Sequence, residues 1–79
     1  MPWLSFTFTN TNGSQAFTFD DMIDTSSNPH AVGPINSGAT SSPQQCWDGG
    51  SGKGRISLSG SVGPTVYQDI PYDGYSFNY

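Results

Sequence analysis

Between Trp3 and Asp20, apolar and polar residues alternate one for one. Leu4, Phe6 and Phe8 are interleaved with Ser5, Thr7 and Thr9, and Phe17 and Phe19 with Ala16, Thr18 and Asp20. A two-residue period puts the rings of each segment on one face of an extended strand, whereas a helix of about 3.6 residues per turn would scatter them. Asn12-Gly13 lies between the two segments, the dipeptide that most readily supplies the positive φ angles of a two-residue hairpin turn. The pattern therefore predicts an antiparallel hairpin of Trp3–Asn10 and Gln15–Asp20 with four Phe rings on one face.

Further along, turn residues break the chain into short pieces. Asp20–Asp24 reads as a strand end or a single helical turn, and Thr25–Pro29 as a loop. Val32–Ile35 reads as a short strand that Pro34 restricts to a sheet edge or a strand start. Asn36–Pro43 is a loop by composition, Gln44–Trp47 a strand, and Asp48–Gly54 a Gly/Ser turn. Alternation returns at Arg55–Gly60, where Ile56 and Leu58 are the apolar positions. Thr65–Ile70 is rich in β-formers, although its inner face is left open by the pattern. Pro71-Tyr72-Asp73-Gly74 has turn chemistry, and Tyr75, Phe77 and Tyr79 alternate to the end. Ten Gly and six Pro among 79 residues argue against long helices, since each Gly costs a helix interior about 1 kcal/mol and each Pro about 3. The expectation is a single domain over residues 1–79, an all-β fold built as a small antiparallel β-sandwich of five to seven short strands.

Charge narrows the range of partners. Lys53 and Arg55 are the only cations against six Asp, a formal charge of −4, so there is no basic face to release counterions from nucleic acid. Aromatics make up 14% and charged residues only 10%, unlike the charged, aromatic-poor composition of disordered chains. No apolar run approaches the roughly 18 residues of a membrane span. Met1-Pro2-Trp3-Leu4 is not a basic segment leading an apolar core, which leaves a chain cytoplasmic as made or one secreted without its leader here.

Catalytic and metal-binding signatures are weak. His30 is the only histidine, without a nucleophile motif beside it, and reads as a loop residue. Cys46 is the only cysteine; it cannot close an intrachain disulfide and reads as a small buried hydrophobe. Asp48-Gly49-Gly50-Ser51-Gly52-Lys53-Gly54 fails the phosphate-loop pattern at Trp47 and at Gly54. Asp20, Asp21 and Asp24 lack the alternation and central Gly of a calcium loop, and Asn12-Gly13-Ser14 matches a glycosylation sequon but reads as a turn. No catalysis and no cofactor are expected.

An aromatic surplus remains. Four Tyr and two Trp are left once the Phe residues fill the core, and Tyr67, Tyr72 and Tyr75 crowd around Asp69–Asp73. Rings with an apolar face and a polar tip suit glycan stacking, lipid headgroups and protein interfaces. The segment Asp69-Ile70-Pro71-Tyr72-Asp73-Gly74-Tyr75-Ser76-Phe77-Asn78-Tyr79 resembles the aromatic phosphocholine-binding segment of actinoporins and related fungal fruit-body lectins. The order of strands and turns is also similar to that of aegerolysin-like proteins. The resemblance implies a β-sandwich that binds lipid headgroups or glycans without chemistry, with Pro71 and Tyr75 lining a pocket and Tyr72 at its rim. Asp69 departs from the family, which has a small hydroxyl residue there; a carboxylate repels phosphate and suits a neutral sugar or choline. The chain is shorter than those proteins and has no amphipathic N-terminal helix, so pore formation is not implied.

The expected function is that of a non-catalytic, lectin-like module for a glycan or choline-type headgroup. Trp47, Tyr67, Pro71, Tyr72 and Tyr75 would supply the aromatic and ring faces, and Asp69 or Asp73 would accept sugar hydroxyls. The alternative is a structural or interaction subunit: a homo-oligomer, a filament subunit or a small inhibitor. In so short a chain, ordering costs of about 1.5 kcal/mol per residue nearly cancel the available burial. A dimer or higher oligomer is therefore expected, with Tyr75–Tyr79 as an edge strand open to pairing.

Overall fold

The computed structural model describes residues 3–79; Met1 and Pro2, which enter the reading of the N-terminus, lie outside the described residues. Seven strands follow one another: β1 (Trp3–Thr9), β2 (Gln15–Asp21), β3 (His30–Ile35), β4 (Gln44–Trp47), β5 (Gly54–Gly60), β6 (Thr65–Ile70) and β7 (Tyr75–Asn78). They form a three-stranded sheet in the order β4-β1-β7 and a four-stranded sheet in the order β3-β2-β5-β6. The chain is an all-β sandwich, as its alternation predicts. Pairing is antiparallel throughout except between β1 and β7, which run parallel with Phe6 opposite Tyr75 and Phe8 opposite Phe77.

The hairpin expected at Asn12-Gly13 does not form. β1 and β2 belong to different sheets, and the five residues between them arch across the edge of the sandwich. Neither Asn12 nor Gly13 takes a positive φ, so the turn that would pair the two strands is absent. Asn10 holds the arch instead. Its fully buried side chain donates from Nδ2 to the carbonyls of Gly13 and Ile35, and its Oδ1 accepts from the Asn12 N–H. The physical reason is burial: a two-stranded ribbon would leave its apolar face in water, whereas facing strands cover each other's rings.

The four Phe rings thus meet from opposite sheets. Phe6 stands edge-to-face on Phe19 at 5.2 Å, and Phe8 on Phe17 at 5.0 Å. Each of these rings is at most 2% exposed, and burying a side chain of this size contributes about 1.5–3 kcal/mol. Leu4, Ile56, Leu58, Ile70, Val32, Ile35 and Cys46 complete the interior. At the arch end Tyr79 closes the core: its ring meets Phe17 at 4.8 Å, and its hydroxyl donates to the Pro64 carbonyl and accepts from the Gly60 N–H. Pro34 lies on β3, an edge of the four-stranded sheet, where a missing N–H is tolerated.

Asp21 ties the opposite end together. Its buried carboxylate accepts from the N–H groups of Ile23 and Asp24 through Oδ1, at 2.9 and 3.0 Å, and from the Trp47 N–H through Oδ2 at 2.7 Å. Trp47 is on the other sheet, so this one side chain bridges the layers. Asn28 adds a second link, accepting from the Asp21 N–H and donating to its carbonyl. Asp20 and Asp21 are therefore a strand end, and the helical turn left open by the sequence is not formed.

Replacing Asp21 with Asn puts an amide donor in place of one acceptor and leaves a buried N–H unsatisfied. The expected loss is about 2–3 kcal/mol, read as a fall in Tm on the order of 10–20 °C for a domain of this size. Gly54→Ala tests the packing: a Cβ there would stand 2.6 Å from Cys46 Sγ, and the expected overpacking cost is about 1–3 kcal/mol in denaturant titration.

Candidate functional site

The β6–β7 turn is fastened to the Ser5 main chain of β1 by one side-chain and one main-chain hydrogen bond. Asp73 Oδ1 accepts from the Ser5 N–H at 2.7 Å, and the Gly74 N–H donates to the Ser5 carbonyl at 2.8 Å. Gly74 supplies the positive φ of +87° that this tight return requires. The turn thereby holds Tyr72 and Tyr75 edge-to-face, with centroids 5.3 Å apart and planes at 87°. Tyr75 stacks on Phe77 at 6.3 Å, and Phe77 stacks on Phe6 and Phe8. A file of rings thus runs from the interior to the surface, ending in Tyr72, which is 59% exposed. Pro71, also exposed, opens the same turn.

The fold divides the seven sequence-predicted residues into three groups. Pro71, Tyr72, Asp73 and Tyr75 come together on the turn and the start of β7. Trp47 lies at the same end of the three-stranded sheet, opposite Trp3 in register and edge-to-face with it at 5.0 Å. One strand separates Trp47 from the turn, a sheet width of about 10 Å. Tyr67 and Asp69 are on the outer face of the other sheet, where Arg55 lies 5.8 Å from the Tyr67 ring centre and its Nη1 donates to Asp69 Oδ1. Both carboxylates expected to accept sugar hydroxyls are already engaged, Asp69 by Arg55 and Asp73 by Ser5.

Sequence reading missed a cleft of about 460 Å³ along the β4 edge, lined by Trp3, Phe19, His30, Gln44 and Gln45 among others. These residues are distant in sequence and meet only because the two sheets pack; the adjacent amides of Gln44 and Gln45 are the one local sign of it. His30 stacks on Phe19 at 4.7 Å and 17°, with Nε2 3.2 Å from Ser27 Oγ. The lining contains no Asp, Glu, Lys or Arg and sets amides and ring faces in one concavity.

The other side chains with reactive or metal-binding chemistry are buried, bonded within the fold or turned outward. Cys46 is fully buried, and burial first, then the charges of Asp21 and Asp48, pushes its thiol up to about 12, far from the thiolate a nucleophile needs. Among the described residues no three His, Cys, Asp or Glu side chains converge as a metal cage. Asp20 points outward, Asp21 bridges the sheets, and Asp24 accepts from Ser26. No helix among the described residues is long and apolar enough to cross a membrane. Comparison with protein-family models, with curated proteins and with solved structures finds no match to this chain.

The Ser5 N–H, by hydrogen bonding to Asp73, lowers that carboxyl below its ordinary 3.8. A depressed carboxylate stabilises the fold above that ordinary value, and its contribution is lost as pH falls through the lowered one. The Ser5 amide resonance is therefore expected to titrate below pH 3.8, and the Asp73→Asn variant to lose that transition. A Ser5 amide that titrates at or above the ordinary value would contradict the link.

Proposed function

We propose that the chain is a non-catalytic binding module that recognises a glycan or choline-type lipid headgroup through its surface aromatics. The observation that carries this reading is the Tyr72–Tyr75 corner, two ring faces at right angles on a turn pinned to β1. Perpendicular rings offer two walls to a quaternary ammonium, whose attraction to each face is about 0.5–2 kcal/mol. The formal charge of −4 and the neighbouring Asp73 favour a cationic group over an anion. Pro71 supplies an apolar rim. Trp3 and Trp47 form a separate aromatic pair on the outer face of the same sheet, and the cleft along β4, lined without Asp, Glu, Lys or Arg, supports the glycan arm of the reading. The resemblance of residues 69–79 to headgroup-binding segments points the same way.

A second reading, self-assembly, is favoured by the exposed ring of Tyr67 and by the sheet edges at β6 and β7. Under it, the chain is a homo-oligomer subunit whose surface aromatics face another copy.

Titrating tryptophan and tyrosine fluorescence with phosphocholine, with phosphatidylcholine vesicles and with a panel of neutral oligosaccharides separates these readings. Tyr72→Ala is the informative variant, because Tyr72 is exposed whereas Tyr75 also packs on Phe77. Binding is expected to weaken on the order of tenfold with Tm unchanged. A wild-type protein that responds to none of these probes overturns the headgroup and glycan reading.

A further inference from the structure

Four strands lie at sheet edges: β4 and β7 in one sheet, β3 and β6 in the other. Three of them are poor templates for pairing. β3 carries Gly33-Pro34 and a register shift against β2, whereas β4 and β7 are only four residues long. β6 has six residues, no Pro, Gly or Lys, and an unbroken register against β5. Pro64 and Pro71 bound it, but within the strand no bulge or proline interrupts the edge, and its one charge, Asp69, is paired with Arg55.

The backbone phase of β6 follows from the neighbouring ladder. The Ser61 N–H donates to the Ala16 carbonyl and the Met22 N–H to the Arg55 carbonyl, which makes these the hydrogen-bonded pairs of the β2–β5 ladder. Pairs alternate in an antiparallel ladder, so Arg55, Ser57 and Ser59 direct their main-chain groups at β2, and Gly54, Ile56 and Leu58 direct theirs at β6. The β6 partners of the latter are Ile70, Gln68 and Val66. Thr65, Tyr67 and Asp69 therefore aim N–H and C=O away from the sheet. No strand among the described residues pairs with them there; the Asp69 carbonyl accepts from Gln68 Nε2, which leaves its second lone pair.

These three residues are evenly spaced about Tyr67. We propose that two copies of the chain join edge to edge through antiparallel β6 strands, across a two-fold axis at Tyr67, into one continuous sheet. In that register Tyr67 faces Tyr67 of the second copy, and Thr65 faces Asp69 of the second copy. All three pairs are of the kind that exchange both N–H···O bonds. The side chains of the same residues line the exposed outer face, where Tyr67 is 61% exposed, so the two rings come side by side. No like charges are set directly opposite, because each Asp69 meets a Thr hydroxyl. The inference deepens the self-assembly reading and is independent of the headgroup site.

Sedimentation equilibrium up to roughly 100 µM, well above a micromolar Kd, is expected to show twice the 8.4 kDa chain mass. Tyr67→Lys sets two ammonium groups opposite each other, and Thr65→Pro removes an outward N–H while leaving the main-chain bonds to β5 in place, at the loss of one hydroxyl contact with Ser59. Each is expected to restore the single-chain mass with far-UV dichroism unchanged, whereas Ser76→Lys on β7 leaves the doubled mass intact. In the wild type, the Tyr67 and Asp69 amides are expected to exchange with deuterium at least tenfold more slowly in the heavy species than in the light one. A single-chain mass at every concentration overturns both self-assembly and this interface. A doubled mass that survives the β6 variants, or that Ser76→Lys alone abolishes, overturns the β6 interface while leaving self-assembly standing. Should a variant fail to fold, unprotected Tyr67 and Asp69 amides in the heavy wild-type species overturn it equally.

Discussion

The interlock of Phe6 with Phe19 and Phe8 with Phe17 sets the distance and register of the two sheets. These rings are the largest side chains shared between the two layers, and edge-to-face geometry adds about 0.5–1.5 kcal/mol per pair beyond burial. Because the paired rings come from β1 and β2, consecutive strands must lie in opposite layers. That requirement overrides the local preference of Asn12-Gly13 for a hairpin. It also leaves β1 free to pair with β4 on one side and β7 on the other.

Polar side chains then seal the two ends of the interior. Asn10 and Tyr79 close one, Asp21 the other, each by bonding main-chain groups that the strands leave over. Among the described residues no buried side-chain nitrogen or oxygen lacks a partner, as expected where an unmade bond costs about 1–3 kcal/mol. The ends are unlike in character. Tyr79 covers one, whereas Trp3, Met22, Ile23 and Tyr72 are exposed near the other, beside the candidate site.

Strand positions were legible in the sequence because alternation and turn residues are local signals. Gln44–Trp47 and Thr65–Ile70 coincide with β4 and β6, and the others differ by a residue or two at their ends. Strand partners were not legible. Whether β2 pairs with β1 or faces it depends on which arrangement buries more surface, and no short window contains that comparison. The candidate site shows the same division. Tyr72, Asp73 and Tyr75 share a turn and stay together, whereas Trp47 and Tyr67 have the right chemistry but are placed by the sheets on separate surfaces. The cleft holding Trp3, His30 and Gln45 was invisible because sheet packing alone assembles it. The tyrosine surplus was only partly a surface feature: Tyr67 and Tyr72 are exposed, Tyr75 is half-buried and Tyr79 is inside.

The parallel union of β1 with β7 joins the first strand to the last. Every stretch of chain between them must be brought back before that ladder closes, an entropic toll that slows folding in proteins rich in distant contacts. On a ribosome, β1 waits with one flank unpaired until β7 has been made. The nascent chain thus carries an open sheet edge until β7 arrives, and closure of this layer is timed by that strand.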